Sequence, residues 1–150
     1  MAVQTSAGST LAISATAPAT YDAAGITTLA GTATLIGEVT DIGDFGRVYN
    51  VTNHNPLATR RTVKKKASFD DGSVPVSLGL DDDDAGQILA TTALDDDASY
   101  YFIVTLQDGS LRGFSAQVSS FSISVGSVDT ITSATMQLEI DNDVIFVAAP

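Results

Sequence analysis

The chain has 150 residues and a formal net charge of −11, with seven Lys and Arg against eighteen Asp and Glu. Its hydrophobic fraction of 44% excludes a disordered chain and suits the core of one domain spanning residues 1–150. The absence of cysteine excludes disulfides and thiolate metal sites, and the acidity disfavours general binding to DNA or to anionic membrane surfaces.

The first part of the chain predicts short strands separated by turns. Ser9 to Ala17 has a weak strand pattern, Ala33 to Val39 has a stronger one, and Phe45 to Val51 predicts a further strand. The stretch NHNP at residues 53–56 then combines several residues that favour turns. We therefore expect the chain to reverse direction shortly after the strand at Phe45 to Val51.

Most of the positive charge lies in one short segment, TRRTVKKKASF at residues 59–69. Its cations are Arg60, Arg61, Lys64, Lys65 and Lys66. Alternation in an extended chain places Phe69 on the face of Lys65 and opposite to the face of Lys66. We expect the basic half of this segment to be exposed and only the end at Phe69 to enter a core.

Val74 to Leu80 predicts a half-buried strand, because apolar residues alternate there with polar or small ones. Pro75 lies within it and lacks the N–H that a strand donates to its neighbour. This predicts either a strand at a sheet edge or a position where the missing N–H faces outward.

The segment DDDDAGQILATTALDDD predicts one flanking α-helix around residues 81–95. An Asp at its start can cap free N–H groups, and acidic residues suit the positive end of the helix dipole. Ala85, Ile88 and Leu89 begin an apolar stripe at helical spacing. The second acidic run, Asp95 to Asp97, marks the end of the helix.

The second half of the chain predicts paired strands. Asp108-Gly109 separates two apolar runs and predicts a hairpin, whose first strand is apolar on both faces at residues 100–106. A change of phase at Ser119-Ser120 predicts a bulge or bend, and a last pair of strands is expected at residues 131–140 and 144–147. The predicted fold is mainly β, a sandwich or barrel, with an extended loop or hairpin arm around residues 45–72.

The sequence shows no arrangement of residues typical of a catalytic site or a metal site. His54 is the one histidine and lies in a turn, and neither a Ser-His-Asp arrangement nor a glycine-rich phosphate loop is present. The acidic runs lack the spacing of an EF-hand, so helix capping and solvation explain them better than Ca²⁺ does. We predict that the protein is not an enzyme and that it has no cofactor and no metal site.

The basic segment has three interpretations. It could be a DNA-binding arm, but it has no interleaved aromatic residues and the net charge of the chain has the wrong sign. It could be a solvated loop. It could also be an arm that contacts acidic residues of a neighbouring copy, and head-to-tail contacts of that kind generate rings or helical filaments. The third interpretation explains both the acidic runs and the basic segment.

Several segments, taken in this order, resemble a known family: GRVYNVTNHNP, TVKKKASFDDGS, LGLDDDDAGQ, VTLQDG and VGSVDTITSATMQLEID. They are similar to the tail tube proteins (major tail proteins) of long-tailed, non-contractile bacteriophages and related prophages. The resemblance runs from about Ile36 to the C-terminus, and the start MAVQTSAGSTLAISA is similar as well.

The resemblance implies a structural protein of the virion tail that is assembled in the host cytoplasm. Subunits of this family form hexameric rings that stack into a tube, in contact with the tape measure, tail tip and terminator proteins. DNA leaves through the lumen without specific binding, and no membrane is involved. The segment between Phe45 and Gly72 matches the region where the family carries an extended hairpin or loop that reaches a neighbour.

The charge distribution fits such a conduit. A lumen lined with carboxylates repels phosphate and lets DNA slide, whereas Lys and Arg would hold it through counterion release. The few cations are then best engaged with acidic residues of an adjacent subunit. The predicted partners are Asp70, Asp71, Asp81, Asp82, Asp83, Asp84, Asp95, Asp96 and Asp97. The alternative function is a monomeric carbohydrate- or surface-binding β-sandwich, which usually shows exposed aromatic side chains.

Overall fold

A computed structural model describes residues 3–149 of the chain. The elements in chain order are β1 (Thr10–Ser14), α1 (Ala23–Ala30), β2 (Thr34–Ile36), β3 (Val39–Ile42), β4 (Val48–His54), β5 (Val63–Asp70), β6 (Ser73–Gly79), α2 (Ala85–Leu94), β7 (Tyr100–Thr105), β8 (Leu111–Ser124), β9 (Ser133–Ile140) and β10 (Ile145–Val147). The prediction of a mainly β fold with a helix around residues 81–95 is confirmed.

Eight of the strands form one antiparallel sheet in the order β2-β1-β7-β8-β9-β6-β3, with β10 pairing to β8. Strand β8 is long enough to pair with β7 and β10 along its first part and with β9 along the rest. Its register to β9 shifts between Val118 and Ser120, which places one extra residue in β8. The bulge predicted at Ser119-Ser120 is therefore confirmed, and so is the hairpin at Asp108-Gly109.

The sheet curls around one apolar core. Alternate residues of β6 and β9 face inward, and they meet side chains from β1 and β7 in the same cluster, although these strands lie on opposite sides of β8. Within this cluster the rings of Phe102 and Phe114 stack, with their centroids 5.9 Å apart. Helix α2 adds Ala90 and Ala93 to this cluster. A sheet that folds over its own core in this way is sandwich-like.

Helix α2 begins at a cap that the sequence predicted. The Asp84 side chain accepts hydrogen bonds from the Gln87 N–H and from the Gly37 N–H, both at 3.0 Å. The buried Gln87 amide donates to the carbonyls of Gly37 and Gly79. These bonds fix the start of the helix against the β2–β3 connection and the end of β6.

A second helix, α1, was missed by the sequence analysis. Asp22 caps it by accepting from the Gly25 N–H at 2.9 Å. The helix covers the outer face of the sheet, where Ile26 and Leu29 pack with Ile103 of β7. A Cβ at Gly113 would lie 2.6 Å from the Ile26 side chain, so glycine permits this close packing. Strand β7 is thus covered on both faces, as its two apolar faces predicted.

The prediction of an edge position for Val74 to Leu80 is wrong. Strand β6 lies between β3 and β9. Pro75 is tolerated because β3 ends beside it: the Pro75 carbonyl accepts from the Gly43 N–H at 2.7 Å, just beyond the last residue of β3. Pro75 therefore lacks a hydrogen-bond donor only beside the end of β3, where β3 stops pairing with β6.

Residues 48–70 form the hairpin arm that the sequence predicted. Its strands β4 and β5 pair only with each other, in a separate two-stranded sheet. Every residue of β4 is exposed, and β5 is exposed except for the partly buried Val63. The arm therefore extends from the body of the molecule into solvent.

Candidate assembly interface

The arm is anchored at its base by aromatic and ionic contacts. The Phe45 ring packs against Phe114 of the core at 5.5 Å. The guanidinium of Arg47 lies 2.7 Å from the Asp143 carboxylate (Nη2 to Oδ1) and 4.0 Å from the Asp71 carboxylate (Nε to Oδ1). It also lies 4.2 Å from the centre of the Phe69 ring. These contacts join both strands of the arm to the β9–β10 turn.

One face of the arm is partly apolar and carries lysines at its edge. The ring centroids of Tyr49 and Phe69 lie 5.3 Å apart in a tilted arrangement, and the Lys66 ammonium lies 4.8 Å from the centre of the Tyr49 ring. Strand β5 has an extra residue between Lys66 and Phe69, because the register shifts there against β4. Phe69 therefore lies on the face of Lys66, and simple alternation, which placed it with Lys65, was wrong.

Phe69 also stays out of the core. It is 49% exposed, and its ring contacts Tyr49 and the Arg47 guanidinium at the base of the arm. The expectation that the end of the segment at Phe69 enters a core is wrong for the single subunit. Instead, the arm presents aromatic surface to solvent.

The five cations of the predicted basic segment are exposed. Lys64, Lys65 and Lys66 lie on β5, whereas Arg60 and Arg61 precede it in the tip loop. Throughout residues 3–149, both ion pairs are made by Arg47, so none of the five cations pairs with a carboxylate of its own chain. Their charge remains available to a second molecule.

The predicted acidic partners differ in how far their own chain uses them. Asp84 caps α2, the side chains of Asp70, Asp81 and Asp96 accept from backbone N–H groups of nearby residues, and Asp96 also accepts from the Tyr100 hydroxyl. The remaining members of the two acidic runs are exposed and accept no side-chain hydrogen bond from the described residues 3–149. They are Asp82, Asp83, Asp95 and Asp97.

Asp71 differs from the other predicted partners because it is only 8% exposed. Burial raises the pKa of its carboxyl, and the nearby Arg47 guanidinium partly opposes this shift. Within one subunit, Asp71 already serves the base of the arm, where its main-chain carbonyl also accepts from the Gly46 N–H at 3.3 Å. Its geometry therefore favours a structural role for this carboxylate.

A groove between α2 and the far end of β8 was not predicted from the sequence. It encloses about 370 Å³, and we call it the α2 groove. Its apolar lining includes Ile88 and Leu94 from the helix and Phe121 and Ile123 from the strand. Asp81 and Asp82 also line it, together with Gln87 and Thr91. The signal in the sequence was the apolar phase of β8 after its bulge, which continues past the end of the core.

The side chains considered for catalysis and for metal binding lie apart. His54 ends β4 on the exposed arm, opposite Val63. No group of three or more His, Asp or Glu side chains in residues 3–149 has the spacing to hold a metal ion. Over the same part of the chain, none of the helices has the length and apolar character needed to cross a membrane.

Sequence comparisons and structure comparisons gave different results. No protein-family model matches the chain, and no curated protein matches it. Solved structures match over most of its length. One is a chain from the sheath/tube terminator of an extracellular contractile injection system, PVC, with a TM-score of 0.70, 9% identity and coverage of 99% of both chains.

Two further structures show the same fold. A chain from the tail of an empty gene transfer agent particle, refined with C6 symmetry, has a TM-score of 0.63 and 14% identity over 81% of this chain and 90% of that one. The SPP1 tail tube has a TM-score of 0.59 and 16% identity over 91% of this chain and 74% of that one. The chain therefore has the fold found in tube and tail assemblies of phages and phage-like particles, as its sequence resemblance predicted.

Proposed function

We propose that this protein is a structural tail tube protein, a single domain that polymerises into stacked rings and forms a conduit for DNA during genome ejection. The observation that carries the proposal is the fold match over nearly the whole chain to components of tube and tail assemblies. The C6 symmetry of the gene transfer agent tail supports hexameric rings. The proposal is non-enzymatic and requires no cofactor.

The sheet supplies edges for ring formation. Strands β2 and β3 end the path of the sheet, and they have three and four residues. An edge strand presents N–H and C=O groups that a neighbouring chain can pair with, and closure into a ring removes such edges. Pairing between subunits at these two edges would join the separate sheets into one continuous wall.

The arm supplies a second type of contact. We infer that Arg60, Arg61, Lys64, Lys65 and Lys66 contact acidic residues of an adjacent subunit. The candidate partners are the nine carboxylates named from the sequence. The support is that none of these cations has a carboxylate partner within residues 3–149 of its own chain. Solvated Asp82, Asp83, Asp95 and Asp97 fit this role better than nearly buried Asp71 does.

A net charge of −11 suits a DNA conduit in which the cations are held between subunits. Phosphate is then repelled along the lumen, and DNA slides instead of binding. Assembly with tape measure, tail tip and terminator proteins in the virion tail follows from this role. The fold comparisons give no support to the carbohydrate-binding alternative, because the matching structures are components of tail and tube assemblies.

Size-exclusion chromatography and negative-stain electron microscopy of the purified protein test the proposal. We expect rings or hollow tubes at high concentration, alone or with tail-assembly factors. A protein that stays monomeric under all these conditions would contradict it. In the same preparation, we expect duplex DNA to bind no better than a neutral polymer at physiological salt, and a tight, salt-sensitive complex would restore the DNA-binding interpretation.

A further inference from the structure

The α2 groove combines apolar surface with negative charge. Ile88 on the helix is 50% exposed and Ile123 on β8 is 56% exposed, so both leave apolar surface facing the open groove. Asp81 and Asp82 lie at one end of it, and neither forms an ion pair within residues 3–149. The groove is thus suited to an apolar side chain that is followed closely by a cation.

The tip of the arm has this combination of groups. Residues 56–59 form a turn in which the Thr59 N–H donates to the Pro56 carbonyl at 3.4 Å. Leu57 lies inside this turn with its side chain fully exposed, at 106% of the reference area. Arg60 and Arg61 follow it three and four residues later along the chain and are also exposed. An exposed leucine that is close in sequence to two guanidinium groups complements an apolar groove with two carboxylates.

The arm and the groove lie at opposite ends of β6. The arm joins the body just before Ser73, the first residue of β6, and the groove begins at Leu80, one residue after its last. At about 3.3 Å per residue, the seven residues of β6 separate them by roughly 20 Å. Donor and acceptor surfaces at opposite ends of a subunit give a head-to-tail contact, which generates rings or helical filaments.

We propose that the arm tip of one copy docks into the α2 groove of the next copy, with Leu57 in the groove and Arg60 and Arg61 against Asp81 and Asp82. This inference rests on the proposed tube function and names the surface that receives the arm. Burial of Leu57 supplies the apolar contact, and the guanidinium groups set the orientation of the tip. The contact extends the polymer from one subunit to the next.

The cysteine-free chain permits a direct test by disulfide crosslinking. We would place one cysteine beside Leu57 at the tip and one in the groove, as Ala58→Cys with Thr91→Cys, because Ala58 is exposed and Thr91 lines the groove and is exposed. After oxidation of assembled protein, we expect a ladder of dimers, trimers and longer species on a non-reducing gel. The matched control is Ala58→Cys with Thr28→Cys, whose second cysteine lies on exposed α1. Each single variant can form dimers only.

The outcomes separate this inference from the proposed function. A ladder in the groove variant and only dimers in the control would support docking. Tubes without a ladder, or equal ladders in both variants, would overturn docking while the tube function stands. A wild-type protein that never forms rings or tubes would contradict the tube function, and the docking inference would fall with it.

A charge exchange gives a second measurement. Arg60→Glu with Arg61→Glu makes the tip and the groove both acidic, and Asp81→Lys with Asp82→Lys makes both basic. We expect each double variant to lose polymer formation alone and a mixture of the two to regain it, because each tip then meets a groove of opposite charge. Wild-type assembly by either variant alone, or failure of the mixture while both variants remain folded, would overturn the pairing.

Discussion

The body and the arm of this protein are stabilised in different ways. In the body, alternate side chains of the strands are buried in one core, and acidic residues cap its helices. In the arm, two strands pair only with each other, nearly every residue is exposed, and the cations have no carboxylate partner in the described part of the chain. The core of the body is therefore formed within a single copy, whereas the arm has surface and charge suited to a second copy.

The largest expected effect is a difference in stability between alanine variants of two phenylalanines. Phe114 is fully buried in the body, and Phe69 is 49% exposed on the arm. We expect Phe114→Ala to lower the free energy of unfolding by about 3–5 kcal/mol, through lost burial and the cavity that remains. For Phe69→Ala, we expect a loss of less than about 1 kcal/mol, since little area leaves the solvent. Denaturant unfolding of both variants measures the difference, and equal losses would show that the arm is part of the core.

The next effect concerns assembly. Lys64→Glu with Lys65→Glu and Lys66→Glu is expected to leave the subunit folded and to block tube formation. Each exposed ion pair contributes only about 0–1 kcal/mol, but the contacts recur around every ring and along the tube. Sedimentation and negative-stain microscopy measure the polymer, and circular dichroism confirms the fold.

Two controls sharpen this test. The neutral variant Lys64→Gln with Lys65→Gln and Lys66→Gln is expected to assemble more weakly than wild type and better than the Glu variant. If the charge of the acidic residues that pair with these lysines is also reversed, part of the assembly is expected to return. If the Glu variant assembles like wild type, the lysines belong to a solvated surface and the interface interpretation fails.

A third prediction concerns the dynamics of the free subunit. An isolated two-stranded hairpin is only marginally stable in water, and the arm buries too little apolar surface to offset its ordering entropy. Hydrogen exchange of monomeric protein is therefore expected to be fast over Asn50 to Lys66 and slow in β7, which is covered on both faces. Assembly is expected to slow exchange in the arm. Strong protection of the arm in the monomer would contradict this.

The elements that the sequence predicted correctly are those with a strong local signal. Asp108-Gly109 predicted a hairpin, the phase change at Ser119-Ser120 predicted a bulge, and the acidic start of DDDDAGQ predicted a helix cap. Helix α1 was missed because AAGITTLA contains glycine and β-branched residues and only two large apolar side chains, Ile26 and Leu29.

The features that were mispredicted depend on tertiary structure. The bulge in β5 follows from its pairing with β4 and has no glycine to announce it, so Phe69 was placed on the wrong face. Pro75 suggested an edge because the early end of β3 cannot be read from the chain. The α2 groove forms only where the end of β8 passes beneath a helix that precedes it in sequence. The charged residues of the proposed interface could be identified from the sequence, but the α2 groove could not.

The smallest expected effect lies where arm and body meet. Arg47 contacts exposed Asp143 at 2.7 Å and nearly buried Asp71 at 4.0 Å. Since the Arg47 side chain is 39% exposed, solvent screens these pairs, and we expect Arg47→Ala to lower the free energy of unfolding only slightly at neutral pH. Part of this cost comes from leaving the Asp71 carboxylate buried without its nearest cation.

The pH dependence, measured together with the substitution Asp71→Asn, identifies that part. Burial raises the pKa of Asp71 above its unfolded value, so its ionised form destabilises the fold at pH above the folded pKa, and this penalty is relieved as the pH falls through it. Removing Arg47 removes the opposing interaction and increases the penalty at neutral pH. We therefore expect Arg47→Ala to lower the free energy of unfolding more at neutral pH than at about pH 3, where carboxyls are largely protonated. In the Asp71→Asn background, the cost at neutral pH is expected to shrink. An equal cost of Arg47→Ala with and without Asp71 would assign the contact to Asp143 alone.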